Sequence, residues 1–114
     1  MADTIFGKIA RGEVPADLVY EDEEVLAFRD ISPQAPVHLL VIPRRPIPTL
    51  NDAGPDDAEL LGRLLLAAAK AAAATGIAER GYRVVLNTNE AAGQVVFHLH
   101  LHVLGGRSMQ WPPG

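Results

Sequence analysis

Phe97-His98-Leu99-His100-Leu101-His102-Val103-Leu104 alternates imidazole and apolar side chains with a period of two. In an extended chain that period sends His98, His100 and His102 to one face and Leu99, Leu101 and Val103 to the other. The apolar set belongs in a core, so the imidazole set lines a cleft or solvent. Alternate side chains on a strand stand about 6.6 Å apart, close enough for adjacent rings to act on one phosphate group or to grip one ion. The alternation predicts a strand over residues 95–104.

The rest of the chain supplies a sheet for that strand. Asp3 or Thr4 can cap a short helix running to about Arg11, with Ile5 and Ile9 on one face and Gly12 as the stop. Residues 18–20 and 25–28 read as short strands joined by the acidic turn Glu21-Asp22-Glu23-Glu24. The prolines of Ser32-Pro33-Gln34-Ala35-Pro36 make a loop, and residues 37–42 form an apolar strand closed by Pro43. A long helix runs from Pro55, at a favoured first position, to Gly76. Asp56, Asp57 and Glu59 suit its positive end, and Leu61, Leu64, Leu65, Ala68 and Ala72 are spaced to share one face. Residues 82–87 make a fourth strand, and Gly105-Gly106 allows a tight exit from the fifth. The expected class is α+β, with a five-stranded antiparallel sheet and two helices. Two helices cannot cover both faces of such a sheet evenly, and a homodimer would relieve this.

Composition narrows the functions. With 114 residues, 48% of them hydrophobic, the chain is expected to form one domain over residues 1–114. Having no cysteine, it has neither a disulfide framework nor a thiol nucleophile. A net charge of −4 argues against a nucleic-acid polymer or an anionic membrane as the main partner. Met1-Ala2-Asp3-Thr4 does not open a signal peptide, and residues 60–74 are interrupted by Arg63 and Lys70 and too short to span a bilayer. A cytoplasmic protein is expected.

Three of the 4 histidines lie within five residues, which an ordinary solvated face would not require. Two chemistries remain open. His-x-His on a strand suits zinc, with His38 or a carboxylate completing the set. Imidazole is also a nucleophile, mostly neutral at pH 7 and in no need of a separate base. His100 then holds the privileged middle place, since its neighbours disfavour an added positive charge. His102 could carry the proton a leaving group needs. Phosphoryl or nucleotidyl transfer fits such a cluster.

These residues bring a family into view. His98-Leu99-His100-Leu101-His102-Val103-Leu104 resembles the signature of the histidine triad (HIT) family, and the tail Gly105-Gly106-Arg107-Ser108-Met109-Gln110-Trp111-Pro112-Pro113-Gly114 resembles its Hint branch. Thr4-Ile5-Phe6-Gly7-Lys8-Ile9, Asp30-Ile31-Ser32-Pro33-Gln34-Ala35-Pro36 and His38-Leu39-Leu40-Val41-Ile42-Pro43 extend the likeness over essentially the whole chain. The resemblance implies a homodimeric hydrolase of purine nucleoside phosphoramidates, such as adenosine 5′-monophosphoramidate and lysyl-AMP, needing no metal or cofactor.

It also implies roles. His100 would be the nucleophile, His102 would contact phosphate and leaving group, His98 would orient the nucleophile, and His38 would support them. Asp30 would bind the ribose hydroxyls. Phe6, Ile9, Val14, Phe28 and Ile31 would form the base pocket, and Asn87, Gly93, Gln94 and Val95 the phosphate loop. Trp111 lies in the tail that would reach across the dimer. Val95 stands where many relatives carry Ser or Thr, so a backbone N–H remains but no hydroxyl. On the residues alone, His38 reads as a core histidine, Asp30 as a turn former and Arg44-Arg45 as a solvated pair. A non-catalytic purine-nucleotide-binding or scaffolding protein is the alternative, with a zinc protein behind it.

Overall fold

The structure is a computed structural model and describes residues 3–114; the reading of Met1-Ala2 lies outside the described residues. The Thr4 hydroxyl accepts the Gly7 N–H at 3.0 Å and starts α1, Ile5–Ala10. Strands β1 (Leu18–Glu21) and β2 (Val25–Arg29) follow, then β3 (Val37–Pro43). The turn between β1 and β2 is built by Asp22, whose Oδ1 accepts the N–H of Glu24 and of Val25 at 2.8 and 2.9 Å. This is the turn expected of the acidic run. The long helix opens with a separate 3-10 turn, Pro55–Asp57, and α2 proper spans Ala58–Ala74. Strands β4 (Tyr82–Val85) and β5 (Leu101–Gly105) complete the sheet.

The five strands lie in the order β1-β2-β3-β5-β4, and each neighbouring pair is antiparallel. Central β3 is apolar on both faces because both are covered. Leu39 and Val41 join Val25, Ala27, Leu101 and Val103 in the core beneath α2. Leu40 and Ile42 join Leu26, Phe28 and Phe6 in a smaller core beneath α1. The six-residue α1 shields only part of its face, which leaves room for a cleft.

Three expectations change. The buried stripe of α2 is Leu64, Ala67, Ala68, Ala71 and Ala72, while Leu65 is 56% exposed. The sheet takes the alanine side, because small side chains let the helix lie close to it, and Leu65 is rotated out of that contact. Strand β4 stops at Val85 rather than residue 87. The histidine segment pairs only from Leu101 onward, so residues 95–100 are not strand. The register explains this. Val41 pairs with Leu101, so Leu99 would fall opposite Pro43, which has no N–H to give to a ladder. Leu99 donates its N–H to the Ile47 carbonyl in a loop instead.

Among the described residues no helix is long and apolar enough to cross a membrane. At the exit of β5, a Cβ on Gly105 would stand 2.6 Å from Ile77 Cδ1. Gly105→Ala should therefore destabilise the fold by about 1–3 kcal/mol through overpacking. A lowered urea midpoint at unchanged m-value would show it.

Candidate active site

A cleft of about 610 Å³ opens on the face that α1 half covers. Ile5, Phe6 and Ile9 wall it from α1, and Phe28 and Asp30 from the end of β2. Asn87, Gly93 and Val95 close it from the loop, and His100 and His102 line it from the histidine segment.

The three histidines keep their common side without a continuous strand. His98 is the deepest, 1% exposed, and its Nε2–H donates to the Pro43 carbonyl at 2.8 Å. That carbonyl belongs to the proline that ends the ladder, so the histidine ring takes up part of the pairing the strand gives up. His100 is buried beside it, with its Nδ1–H donating to the His98 carbonyl at 2.8 Å. A neutral ring holding its proton on Nδ1 carries its lone pair on Nε2. Phe6 packs edge-to-face on His100, ring centroids 5.0 Å apart, and His102 stands at the same separation on another side. What touches His100 from His98 is thus the backbone carbonyl.

His102 pairs in register with Leu40 on β3, and His38 lies two residues before Leu40, on the same face. His38 Nε2 is 2.9 Å from His102 Nδ1 and 3.4 Å from Asp30 Oδ2. Gln34 donates its backbone N–H to His38 Nδ1 at 3.0 Å. Asp30 Oδ1 accepts the Ser32 N–H at 2.8 Å, the turn bond expected of it, while Oδ2 stays with the histidines. Asp30, His38 and His102 each offer a ligand atom within 4.8 Å of the others. The 2.9 Å contact is a hydrogen bond between rings.

The other expected residues divide. Gly93 holds φ +89, a left-handed conformation that favours glycine at this bend. Gln94 is buried and turned away from the cleft: its amide accepts the Asn89 N–H and donates to the Pro48 and Val96 carbonyls, stitching the loop. Val95 is 85% exposed and Ile31 fully exposed, both on the cleft wall. Val14 is half-buried and outside the cleft lining, and Trp111 is exposed near the chain end. The sequence reading did not single out Leu40, Val96, Pro15 and Ala16, which also line the cleft. For Leu40 a signal existed, since it shares a β3 face with His38. Arg44 is no solvated bystander: it donates to the Ala10 and Asp22 carbonyls and binds Glu21, tying α1 to the sheet.

Burial sets the charge state. It pushes the His38, His98 and His100 rings below the ordinary imidazole value, because a charged ring loses more hydration than a neutral one. His102 is pushed down to about 4, by burial first and then by the neighbouring His100 and His38 rings. At neutral pH the cluster is uncharged. An uncharged ring with a free Nε2 beside a cleft is a nucleophile for an electrophilic centre such as phosphorus.

Fold and site together define the class: a small α+β protein carrying a histidine cluster on the floor of an apolar, nucleotide-sized cleft. The chain belongs to the HIT family, whose HIT domain model matches residues 11–109. An uncharacterized HIT-like protein of Synechococcus elongatus is 61% identical over 112 residues, 98% of this chain and 97% of its own. The purine nucleoside phosphoramidase of Escherichia coli K12 is 55% identical over 107 residues, 94% of this chain and 90% of its own. A HIT family hydrolase of Legionella pneumophila superposes with a TM-score of 0.95 at 57% identity, over 98% of this chain and 100% of the other.

The lowered histidines make stability depend on pH. An imidazole with an ordinary value of 6.5 protonates in the unfolded chain first, so the unfolded state binds more protons below that pH. Stability should be complete above about pH 6.5 and fall progressively toward pH 4, with His102 alone accounting for about 1–3 kcal/mol. Urea midpoints across that range should fall steeply for the wild type and less steeply for His102→Gln.

Proposed function

We propose that this chain hydrolyses purine nucleoside phosphoramidates to the nucleoside monophosphate and an amine, through a nucleotidyl group carried on His100. One observation carries the assignment: His100 is buried and neutral, its Nδ1–H is taken by the His98 carbonyl, and its ring lines a cleft of nucleotide size. HIT membership and 55% identity to a purine nucleoside phosphoramidase support the reaction class.

His100 Nε2 attacks the α-phosphorus and an N–P bond forms. The P–N bond to the amine breaks, its electron pair going to the amine nitrogen, which takes a proton from solvent water as it leaves. A second water then attacks the phosphorus and returns a proton to solvent, the Nε2–P bond breaks with its pair returning to Nε2, and the monophosphate is released. His102 faces the phosphate and leaving group, and His38 supports it. Phe6, Ile9, Phe28 and Ile31 offer apolar surface to the purine, Val14 lying outside that lining, and Asp30 accepts from the ribose hydroxyls. The loop of Gly93, Gln94 and Val95 borders the phosphate, with Asn87 beside it; the Gly93 and Gln94 N–H groups are held by the Glu90 and Asn89 carbonyls, so the Val95 N–H is the one offered to the phosphate. Val95 supplies no hydroxyl there. Neither metal nor cofactor enters this scheme.

The reading extends to the whole chain as one domain, with the cytoplasm, where nucleotide pools reside, as its place of work. It also makes the protein a homodimer. Leu65 and Leu66 are 56% and 66% exposed on the outer side of α2, and β4 is a sheet edge. A second copy would cover both, and Trp111 in the exposed tail would reach it. Purine nucleotides are then its ligands, with neither nucleic-acid polymers nor membranes as partners.

His100→Ala should lower turnover of adenosine 5′-monophosphoramidate by about a thousandfold or more while AMP still binds. Undiminished AMP release would end the assignment. Sedimentation should give twice the chain mass for the wild type, and Leu65→Lys with Leu66→Lys should shift it toward the single chain.

A further inference from the structure

We infer that two backbone groups, the His98 carbonyl and the Gln34 N–H, divide the labour between His100 and His102 by fixing opposite tautomers. The inference deepens the proposed function and rests on it for its catalytic meaning.

The geometry leaves little freedom. A backbone N–H can only donate, so His38 Nδ1, 3.0 Å from Gln34 N, must be a bare acceptor. A protonated Nδ1 would set two hydrogens against each other. A neutral His38 therefore carries its proton on Nε2, the atom 2.9 Å from His102 Nδ1. His102 Nδ1 is then bare in its turn, and the ring keeps its proton on Nε2. His100 is the mirror case, its proton held on Nδ1 by the His98 carbonyl and its Nε2 bare. Two rings with centroids 5.0 Å apart thus offer the cleft opposite functions, a lone pair from His100 and an N–H from His102.

This limits what His102 does. Giving its Nε2 proton away would leave an anionic ring, because His38 has only one proton and Gln34 N–H is not transferable. Forming a cation at His102 Nδ1 would need His38 to break its bond with Gln34. His102 acts as a fixed hydrogen-bond donor to a phosphoryl oxygen or to the departing nitrogen, which takes its proton from water. On this inference His102 keeps its proton, where the sequence reading expects it to carry the one the leaving group needs. Gln34 is a positioning residue, acting through His38.

The loop that carries this amide is held in place. Arg107 Nε and Nη2 donate to the Gln34 carbonyl at 3.3 and 3.2 Å, and Gln34 Nε2 donates to the Ser32 carbonyl at 3.0 Å. Asp30 Oδ2, 3.4 Å from His38 Nε2, faces the same proton and favours its place there.

Nitrogen-15 NMR of the full-length protein at pH 7, without substrate, reads the tautomers directly. The expected pattern is a protonated Nδ1 on His100 and protonated Nε2 on His102 and His38. A bare Nε2 on His102 or a protonated Nδ1 on His38 overturns the inference. Gln34→Pro removes both the N–H and the side-chain bond to Ser32, whereas Gln34→Ala removes that side-chain bond and keeps the N–H. Gln34→Pro should mix the His38 and His102 tautomers and lower kcat about tenfold or more with KM changed far less, whereas Gln34→Ala should keep the wild-type tautomer pattern. A folded Gln34→Pro protein with wild-type tautomers and kcat also overturns it. Should that variant not fold, the wild-type spectrum alone decides. The tautomers are read without turnover, so an inactive protein with the expected pattern would refute the proposed function and not this one.

Discussion

The His98 carbonyl holds the Nδ1 proton of His100 at 2.8 Å, and the chemistry of the cleft depends on that bond. It turns a ring with two equivalent options into one with a single exposed lone pair. It can form because residues 95–100 are released from strand pairing. In the register of β3 and β5 Pro43 falls opposite Leu99 and has no N–H to offer it, and its own carbonyl accepts from the His98 ring. The end of one strand thus leaves the His98 carbonyl to the His100 ring.

Packing serves the same end. The sheet buries one face thoroughly, against a helix whose alanines allow close approach. The other face is covered only by the short α1, and the uncovered part is the cleft. Phe6 belongs to both regions, as a member of the smaller core and a ring against His100. Burial beneath this cover keeps four imidazoles uncharged near neutral pH, the condition for one of them to act as a nucleophile. The same burial makes the fold more sensitive to acid, so a property useful for chemistry is carried as a stability liability below the ordinary imidazole range.

Membership of the HIT family and the likeness to a purine nucleoside phosphoramidase fit this arrangement without supplying it. The cleft volume suits a nucleotide and its walls are largely apolar. Asp30, Asn87, His100 and His102 add hydrogen-bonding groups to those apolar walls. That combination matches a molecule with a flat base and a phosphorus centre.

The amino-acid sequence alone determined the class of fold, the antiparallel strands, both helices and the importance of the histidine triplet. Periodicity, proline and glycine placement and capping residues are local properties, and they can be read locally. The resemblance carried by the quoted motifs supplied the family and the candidate roles. Tertiary structure decided what depends on partners far apart in the chain. The histidine strand begins late because residue 99 falls opposite Pro43, a matter of register between segments more than fifty residues apart. Leu65 faces outward because the sheet selects the alanine stripe of α2. His38 reaches His102, and Gln94 turns inward to stitch its loop, because backbone groups elsewhere offer bonds that no spacing rule reveals. Tautomers belong to the same category, since a ring holds its proton where the fold places an acceptor.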